Sequence, residues 1–182
     1  MIVFLIGHSG SGKTVAGREA AGLCGMEFVD LDAHVAEHFR MATAEVFARF
    51  GQTVWRAWEE VILGTISLQK RKCIVAVGAG AVHSRMSRQV LSRGFTILLD
   101  ASSDTLTNRI VSGSEPGSHA VSIPARRSIE YKIQMNNWIY NFRNPLYHAC
   151  CSTCLNTEGK SVLKVAEEIA DLISRSWVTS DT

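Results

Sequence analysis

Eight residues near the start of the chain, GHSGSGKT at positions 7 to 14, combine three glycines with a lysine and a threonine. They match the pattern G-x-x-x-x-G-K-[ST] and lie between an apolar run and an amphipathic helical pattern, which is the context that this motif requires. Glycines let the backbone wrap around an anion, while the amides and the helix N-terminus supply partial positive charge. Lys13 adds a full charge, and the hydroxyl of Thr14 suits a magnesium ion. The segment therefore predicts a site for the phosphate groups of a nucleotide.

A pair of acidic residues follows in FVDLD, residues 28 to 32, where Asp30 and Asp32 stand two positions apart after a short apolar run. In an extended segment, side chains at i and i+2 point the same way, so two like charges require a positive partner. We expect Asp30 to approach a magnesium ion at Thr14 through its waters. Asp32 is expected to reach a hydroxyl group that accepts a phosphoryl group, because such a hydroxyl needs a carboxylate to take its proton. Either aspartate could instead cap the helix that begins near residue 31.

The composition is that of a soluble globular protein, with 182 residues, of which 46% are hydrophobic and 20% charged. This length allows one sizeable core, so we expect a single domain over residues 1–182. The net charge is +2, and without a run of like charges the sequence favours small-molecule partners over nucleic acid or a membrane surface. The N-terminal MIVFLIG lacks a basic leader and is too short to span a membrane, so a cytoplasmic location is expected.

Strand-like runs alternate with helical patterns along the chain. The strand candidates are residues 2–6, 73–77 and 95–99, with weaker ones at 27–30 and about 150–156. This alternation predicts a mostly parallel sheet covered on both faces by helices, with ligands bound at the carboxyl ends of the strands. The segment 112–125, rich in Gly, Ser and Pro, is expected to be a mobile loop.

Three further segments accompany the phosphate loop and FVDLD: GQTVWRAWE at 51–59, VGAGAV at 77–82 and RNPLY at 143–147. In this order and spacing the chain resembles the shikimate kinase family, whose blocks usually read F-x-D-x-D, G-E-x-x-F-R-x-x-E, G-G-G and R-x-P-x-Y. The resemblance covers about residues 2–157. It implies a three-layer αβα sandwich of the nucleoside monophosphate kinase type, with a five-stranded parallel sheet in the order 2-3-1-4-5 and a mobile lid at about 112–127.

The resemblance also implies an activity. It is the transfer of the ATP γ-phosphoryl group to the 3-hydroxyl of shikimate, a step of chorismate and aromatic amino-acid biosynthesis, with ATP and Mg²⁺ as cofactors and a monomeric enzyme. Two alternatives stay open. One is a kinase of the same scaffold for another small metabolite, such as gluconate or a nucleoside monophosphate, and the other is a related protein that binds a ligand or a partner without turnover.

The resemblance assigns the expected site residues to an ATP side and a shikimate side, and it makes two of them catalytic. The ATP side would comprise Gly10, Ser11, Gly12, Lys13 and Thr14, with Asp30 beside the metal and Arg109 packed on adenine. The shikimate side would comprise Asp32, Arg56, Gly78, Ala79, Gly80 and Arg143. Within these groups Asp32 and Lys13 would be catalytic, with Asp32 the base for the 3-hydroxyl. Arg56 and Arg143 would bind the carboxylate of shikimate between them as a clamp, a task suited to planar guanidinium groups.

Other interpretations of the two arginines remain open. Arg56 and Glu59 stand at i and i+3 of a helical pattern, so they could form an ordinary surface ion pair, although we expect Glu59 to orient Arg56. Arg143 precedes Asn-Pro at an expected helix end, where it could merely complement the helix dipole. No role is assigned to the histidines at positions 8, 34, 38 and 83, since phosphoryl transfer on this scaffold rests on positioning and charge.

The chain departs from the family blocks at three places. Gln52 replaces the usual Glu, with an amide of equivalent shape. Ala79 interrupts the glycine triplet, where a positive φ would cost an alanine about 1 to 2 kcal/mol and its methyl group could enter the pocket. The segment 112–125 lacks the R-P-L-L type of lid block, so Arg126 or Arg127 would have to supply a lid arginine, unless both begin the next helix and face solvent.

Overall fold

The computed structural model of the protein describes residues 1–112 and 128–178. Five parallel strands form one sheet in the order β2-β3-β1-β4-β5, which confirms the predicted fold class and strand order. The strands are β1 Ile2–Ile6, β2 Glu27–Asp30, β3 Cys73–Ala76, β4 Phe95–Asp100 and β5 Thr153–Asn156. Strand β5 begins later than the expected residue 150, because the preceding helix runs on to His148.

Helices cover both faces of this sheet. They are α1 Lys13–Cys24, α2 Leu31–Phe39, α3 Thr43–Ser67, α4 Arg85–Arg93, α5 Ser103–Val111, α6 Ile129–His148 and α7 Val162–Val178, with a short 3₁₀ helix at Ala81–His83. Among the residues described, no helix is long and apolar enough to cross a membrane.

The central strand β1 connects the two cores of the sandwich, because alternate side chains of a strand point to opposite faces. Val3 and Leu5 are buried on one face, in the cluster that also contains buried residues of α1 and α7. Phe4 and Ile6 are buried on the other face, in the cluster shared with α3, α4 and α6. Both faces of the sheet are therefore buried at β1, which explains why its sequence IVFLI is an unbroken apolar run.

The parallel strands bring the predicted motifs to one edge of the sheet. The phosphate loop follows β1, Asp30 is the last residue of β2, and the Gly-Ala-Gly segment follows β3. In an open parallel sheet, the ligand crevice lies outside the carboxyl ends of the strands. The topology thus gathers these three segments into one candidate site.

Arg143 was expected at a helix end, but α6 continues through Pro145 to His148, so that expectation is wrong. A proline removes one N–H from the helical ladder, and buried contacts of Tyr147 and Cys150 with the core accompany the continuation of the helix. The lid interpretation, with Arg126 and Arg127, falls outside the described residues.

Candidate active site

The phosphate loop has a backbone that only its glycines adopt easily. Gly7, Gly10 and Gly12 have φ values of 146°, 83° and 89°, in a region that is unfavourable for residues with a Cβ atom. Lys13 opens α1, and its ammonium group donates to the carbonyl oxygens of Gly7 at 2.9 Å and His8 at 2.7 Å. The same group donates to the Ser11 hydroxyl at 3.3 Å. The lysine therefore lies across the loop, at the helix N-terminus where an anion is favoured.

Thr14 and Asp30 meet beside this loop. The Thr14 hydroxyl donates to Oδ2 of Asp30 at 2.9 Å, and Oδ1 of the same carboxylate accepts from the backbone N–H of Ala33 at 3.2 Å. Asp30 therefore caps α2, as the alternative interpretation held, and also reaches the threonine. A hydroxyl and a carboxylate are hard oxygen donors of the kind that magnesium prefers, so the pair fits that ion.

The extended geometry expected for FVDLD is wrong at Asp32, because α2 already begins at Leu31. Asp32 lies in the first turn of α2, where the partial positive charge of the helix N-terminus favours a carboxylate. Its side chain reaches the backbone after β3, since a Cβ atom added at Gly78 would overlap Asp32 Oδ1. The two aspartates thus serve different neighbours, Asp30 the phosphate loop and Asp32 the end of β3.

The Gly-Ala-Gly segment approaches three functional side chains closely. A Cβ atom at Gly78 would also overlap the Glu59 carboxylate, and one at Gly80 would overlap the Arg56 guanidinium. The absence of side chains at these two positions is therefore what lets Asp32, Glu59 and Arg56 pack against the backbone. The backbone of residues 78–80 thus forms the floor of the site, meaning the surface against which these three side chains lie.

Ala79 between these glycines carries no backbone strain. Within the described residues, Arg40 is the only residue other than glycine with a positive φ, so the cost considered for an alanine here does not arise. The Ala79 carbonyl accepts a hydrogen bond from the Tyr147 hydroxyl at 2.5 Å. Tyr147 is a residue of the RNPLY segment to which the sequence assigned no role, and it ties α6 to the floor of the site.

Arg56 is held by Glu59. Its Nη1 donates to Glu59 Oε2 at 2.6 Å, and the Glu59 side chain is only 1% exposed. An ordinary surface pair would be solvated at both ends, so the orienting role expected for Glu59 describes this contact better. Burial, together with the charge of Asp32, raises the pKa of Glu59 to about 7, although Arg56 and Arg143 oppose that rise.

Arg143 is buried on α6, with 7% of its surface exposed. Its Nε donates to Nε2 of His83 at 2.9 Å. Burial lowers the pKa of the Arg143 guanidinium from its ordinary value, but an arginine remains charged in proteins. Arg143 and Arg56 both influence the pKa values of Glu59 and Tyr147, so the two predicted clamp residues lie in one charged cluster.

His8, within the phosphate loop, packs the loop against α6. Its ring stacks on Tyr140 at a centroid distance of 4.7 Å and meets the Tyr147 ring edge-on at 4.7 Å. The residue is 3% exposed, and burial, followed by the charges of Lys13 and Arg143, lowers its pKa to about 3. It is therefore a neutral packing residue between the loop and the helix that carries Arg143. A histidine within a phosphate motif gives no local sequence signal of this contact.

Arg109 lies on α5, on the other side of the phosphate loop. Its Nη1 donates to the carbonyl oxygen of Gly10 at 3.2 Å and to the hydroxyl of Thr157 at 3.1 Å, and its Nη2 donates to the Thr157 carbonyl at 2.8 Å. These bonds fix the planar guanidinium in the wall of a pocket of about 140 Å³ that is also lined by Ser11, Gly12, Val15, Lys160 and Val162. A flat, fixed guanidinium beside aliphatic side chains suits the stacking of a planar base.

Comparisons with known proteins give one consistent family. The family model described as shikimate kinase matches residues 9–174. The shikimate kinase of Actinobacillus pleuropneumoniae serotype 5b (strain L20) is 33% identical over 172 residues, with 94% of each chain covered. That of Histophilus somni (strain 2336) is 30% identical over the same length and coverage.

Solved structures agree on the fold. Shikimate kinase from Acinetobacter baumannii in complex with shikimate superposes with a TM-score of 0.84 at 23% identity, covering 96% of this chain and 93% of that chain. A gluconokinase from Sinorhizobium meliloti 1021 superposes less well, with a TM-score of 0.58 at 16% identity over 99% and 97% of the two chains. Because the family model spans most of the sequence and a relative one-third identical to it covers nearly all of its length, the chain belongs to the shikimate kinase family.

Proposed function

We propose that the protein is a shikimate kinase, which transfers the γ-phosphoryl group of ATP to the 3-hydroxyl of shikimate in aromatic amino-acid biosynthesis. The observation that carries this proposal is the convergence of a lysine-bearing phosphate loop with a carboxylate and two arginines at one edge of the sheet. The loop suits a nucleotide, the carboxylate suits a hydroxyl acceptor, and the arginines suit an acceptor that is itself an acid. The relatives of this chain named above are called shikimate kinases, which agrees with that choice.

In the proposed reaction, Asp32 orients the acceptor hydroxyl and takes its proton as the oxygen attacks the γ-phosphorus. The bond between the γ-phosphorus and the bridging oxygen breaks, and ADP leaves with the electron pair. Lys13 and the loop amides offset the negative charge on the phosphoryl oxygens. Magnesium, held by Thr14 and Asp30, would add positive charge beside the phosphates when bound.

The acceptor would be placed by its carboxylate. Arg56 is part-buried and Arg143 is buried on the acceptor side, and charge-assisted bonds from guanidinium to carboxylate are among the stronger hydrogen bonds. We further propose that the enzyme uses ATP and Mg²⁺, acts as a monomer in the cytoplasm, and has neither nucleic acid nor membrane as a partner.

The test of this function is release of ADP by the purified protein with ATP, magnesium and a panel of acceptors. The panel contains shikimate, quinate, gluconate and nucleoside monophosphates. Turnover with shikimate alone is the expected result. Turnover with gluconate or a nucleotide but not with shikimate would overturn the proposal, and saturable binding of shikimate without ADP would indicate a binding protein.

Replacing either clamp arginine by alanine is expected to raise the KM for shikimate about tenfold or more, since one hydrogen bond to a charged group is worth roughly 1.5 to 3 kcal/mol. The KM for ATP should scarcely change, because neither arginine belongs to the phosphate loop. Steady-state kinetics of Arg56→Ala and Arg143→Ala measure both constants. Arg49→Ala is the matched control, because Arg49 is an exposed arginine on the helical segment just before the break at Gly51, where φ is 78° and ψ is 173°, and Arg56 lies just after that break. An equal loss of ATP affinity would place the two arginines elsewhere.

Asp30→Asn is expected to raise the magnesium concentration needed for half-maximal rate. Asparagine caps helices about as well as aspartate, so the bond to the Ala33 amide and the thermal stability should persist while the charge is lost. A magnesium titration of the rate, with the melting temperature recorded beside it, separates these two effects. An unchanged magnesium requirement would leave Asp30 with the capping role alone.

A further inference from the structure

The guanidinium of Arg143 is held along one of its edges. Its Nε–H donates to Nε2 of His83 at 2.9 Å, across 60 residues of sequence. An imidazole nitrogen can accept a hydrogen bond only when it carries no proton. His83 must therefore be neutral in this contact, with its proton on Nδ1.

His83 is itself held from several sides. Its ring stacks on Phe142 at a centroid distance of 5.5 Å, and Phe142 stacks on Trp138 at 5.7 Å. The backbone carbonyl of His83 accepts from Arg88 at 2.9 Å. Phe142 and Arg143 are consecutive on α6, so this helix contacts the imidazole both on its face and at its nitrogen.

The charges around His83 support the neutral form. The residue is exposed as a whole, but partial burial of its ring, followed by the charges of Arg143, Arg56 and Arg88, lowers the pKa of His83. These three arginines come from α6, α3 and α4, which are the helices around it. Its acceptor nitrogen is therefore available at neutral pH.

This contact selects the edge of Arg143 that faces a substrate. A guanidinium has one edge formed by Nε and one terminal nitrogen, and another formed by its two terminal nitrogens. The Arg143 side chain also hydrogen-bonds the Tyr147 side chain. Each terminal nitrogen carries two N–H groups, so with Nε engaged by His83 the Nη1–Nη2 edge is the one that can present two parallel N–H groups to a carboxylate. A group oriented before binding loses less conformational freedom when the ligand arrives.

We propose that His83 is a positioning residue of the acceptor site, which fixes the carboxylate-binding edge of Arg143 by accepting its Nε–H. The inference rests on the proposed function, in which Arg143 binds the carboxylate of shikimate. It gives a role to a residue that lies beyond the glycine-containing segment and has no direct contact with the phosphate loop among the bonds described.

A pair of substitutions separates the acceptor nitrogen from the bulk of the ring. His83→Leu removes the acceptor and should raise the KM for shikimate about three- to tenfold, the range set by the net worth of one hydrogen bond. His83→Gln restores an acceptor at a similar distance from the backbone and should return the KM to within about twofold of the wild type. The value of kcat and the KM for ATP should stay within about twofold in both variants, because Asp32 and Lys13 are untouched.

His34→Leu is the matched control, because His34 is also exposed but lies on α2. The melting temperature should fall in His83→Leu, since the buried Nε–H of Arg143 loses its acceptor, and it should stay near the wild-type value in His83→Gln and His34→Leu. An unchanged KM in His83→Leu would overturn the proposal. So would equal losses in His83→Leu and His83→Gln, which would show that the accepting nitrogen is not what matters.

A spectroscopic measurement tests the contact without turnover. In ¹⁵N-resolved NMR of the free protein, His83 should show the tautomer with its proton on Nδ1, and the Nε–H of Arg143 should exchange slowly. That slow exchange should disappear in His83→Leu. A wild type that shows this pairing but never phosphorylates shikimate would contradict the proposed function, whereas an active wild type without the pairing would contradict the positioning role of His83.

Discussion

Replacing Asp32 by asparagine is expected to lower kcat by about 10²- to 10⁴-fold, the usual effect of losing a general base. Asparagine keeps the shape of the side chain at the start of α2, and its oxygen can still accept a hydrogen bond. It cannot take a proton from the acceptor hydroxyl. The affinity for ATP should remain nearly intact, because Lys13 and the phosphate loop are unchanged.

The matched control for this substitution is Asp104→Asn. Asp104 occupies the first turn of α5, as Asp32 occupies the first turn of α2, so both substitutions remove one favourable charge from a helix N-terminus. Only Asp32 lies beside the segment after β3. Single-turnover rates and ATP binding measured for both variants test whether Asp32 acts as the base. A similar loss of rate in Asp104→Asn would mean that Asp32 contributes only a favourable charge at a helix N-terminus.

The parts of the site that follow local rules were predictable from the sequence. The phosphate loop combines a fixed spacing with a preceding strand and a following helix, and the structure begins α1 at Lys13. Arg56 and Glu59 are three residues apart on a helix, a spacing that brings side chains together, and they form a bond of 2.6 Å. In each case the partners are close in the chain, so their contact depends on a single element.

Contacts between distant elements were not predictable in this way. His83 pairs with Arg143 only because the 3₁₀ helix after β3 lies against α6, and the sequence contains no pattern that aligns these residues. The same holds for His8, which lies between two tyrosines of α6. The strand at 27–30 and the helix beginning near residue 31 were predicted correctly, but the expectation that Asp30 and Asp32 share one extended segment was wrong, since Asp32 already lies in the first turn of α2.

Gly78→Ala is expected to lower kcat/KM for shikimate by about a hundredfold, since a misplacement of about 1 Å at a reacting group can cost that much. The added methyl group would overlap carboxylate oxygens of both Asp32 and Glu59, and Glu59 in turn holds Arg56 at 2.6 Å. One methyl group therefore displaces the proposed base and disturbs one arm of the carboxylate clamp. The phosphate loop lies outside this contact, so the KM for ATP should change little.

The same substitution should have a smaller effect on stability than on activity. Gly78 does not have a φ in the left-handed region, so alanine meets no backbone strain there, and the atoms that must move are the ends of side chains. Gly64→Ala is the matched control, because an added Cβ atom at this position of α3 would meet nothing within 4 Å and alanine favours a helix over glycine. Melting temperatures and steady-state kinetics of both variants test the argument. Full activity in Gly78→Ala would mean that Asp32 and Glu59 can shift without loss of activity. It would contradict the proposal that contact with this backbone positions Asp32 as the base.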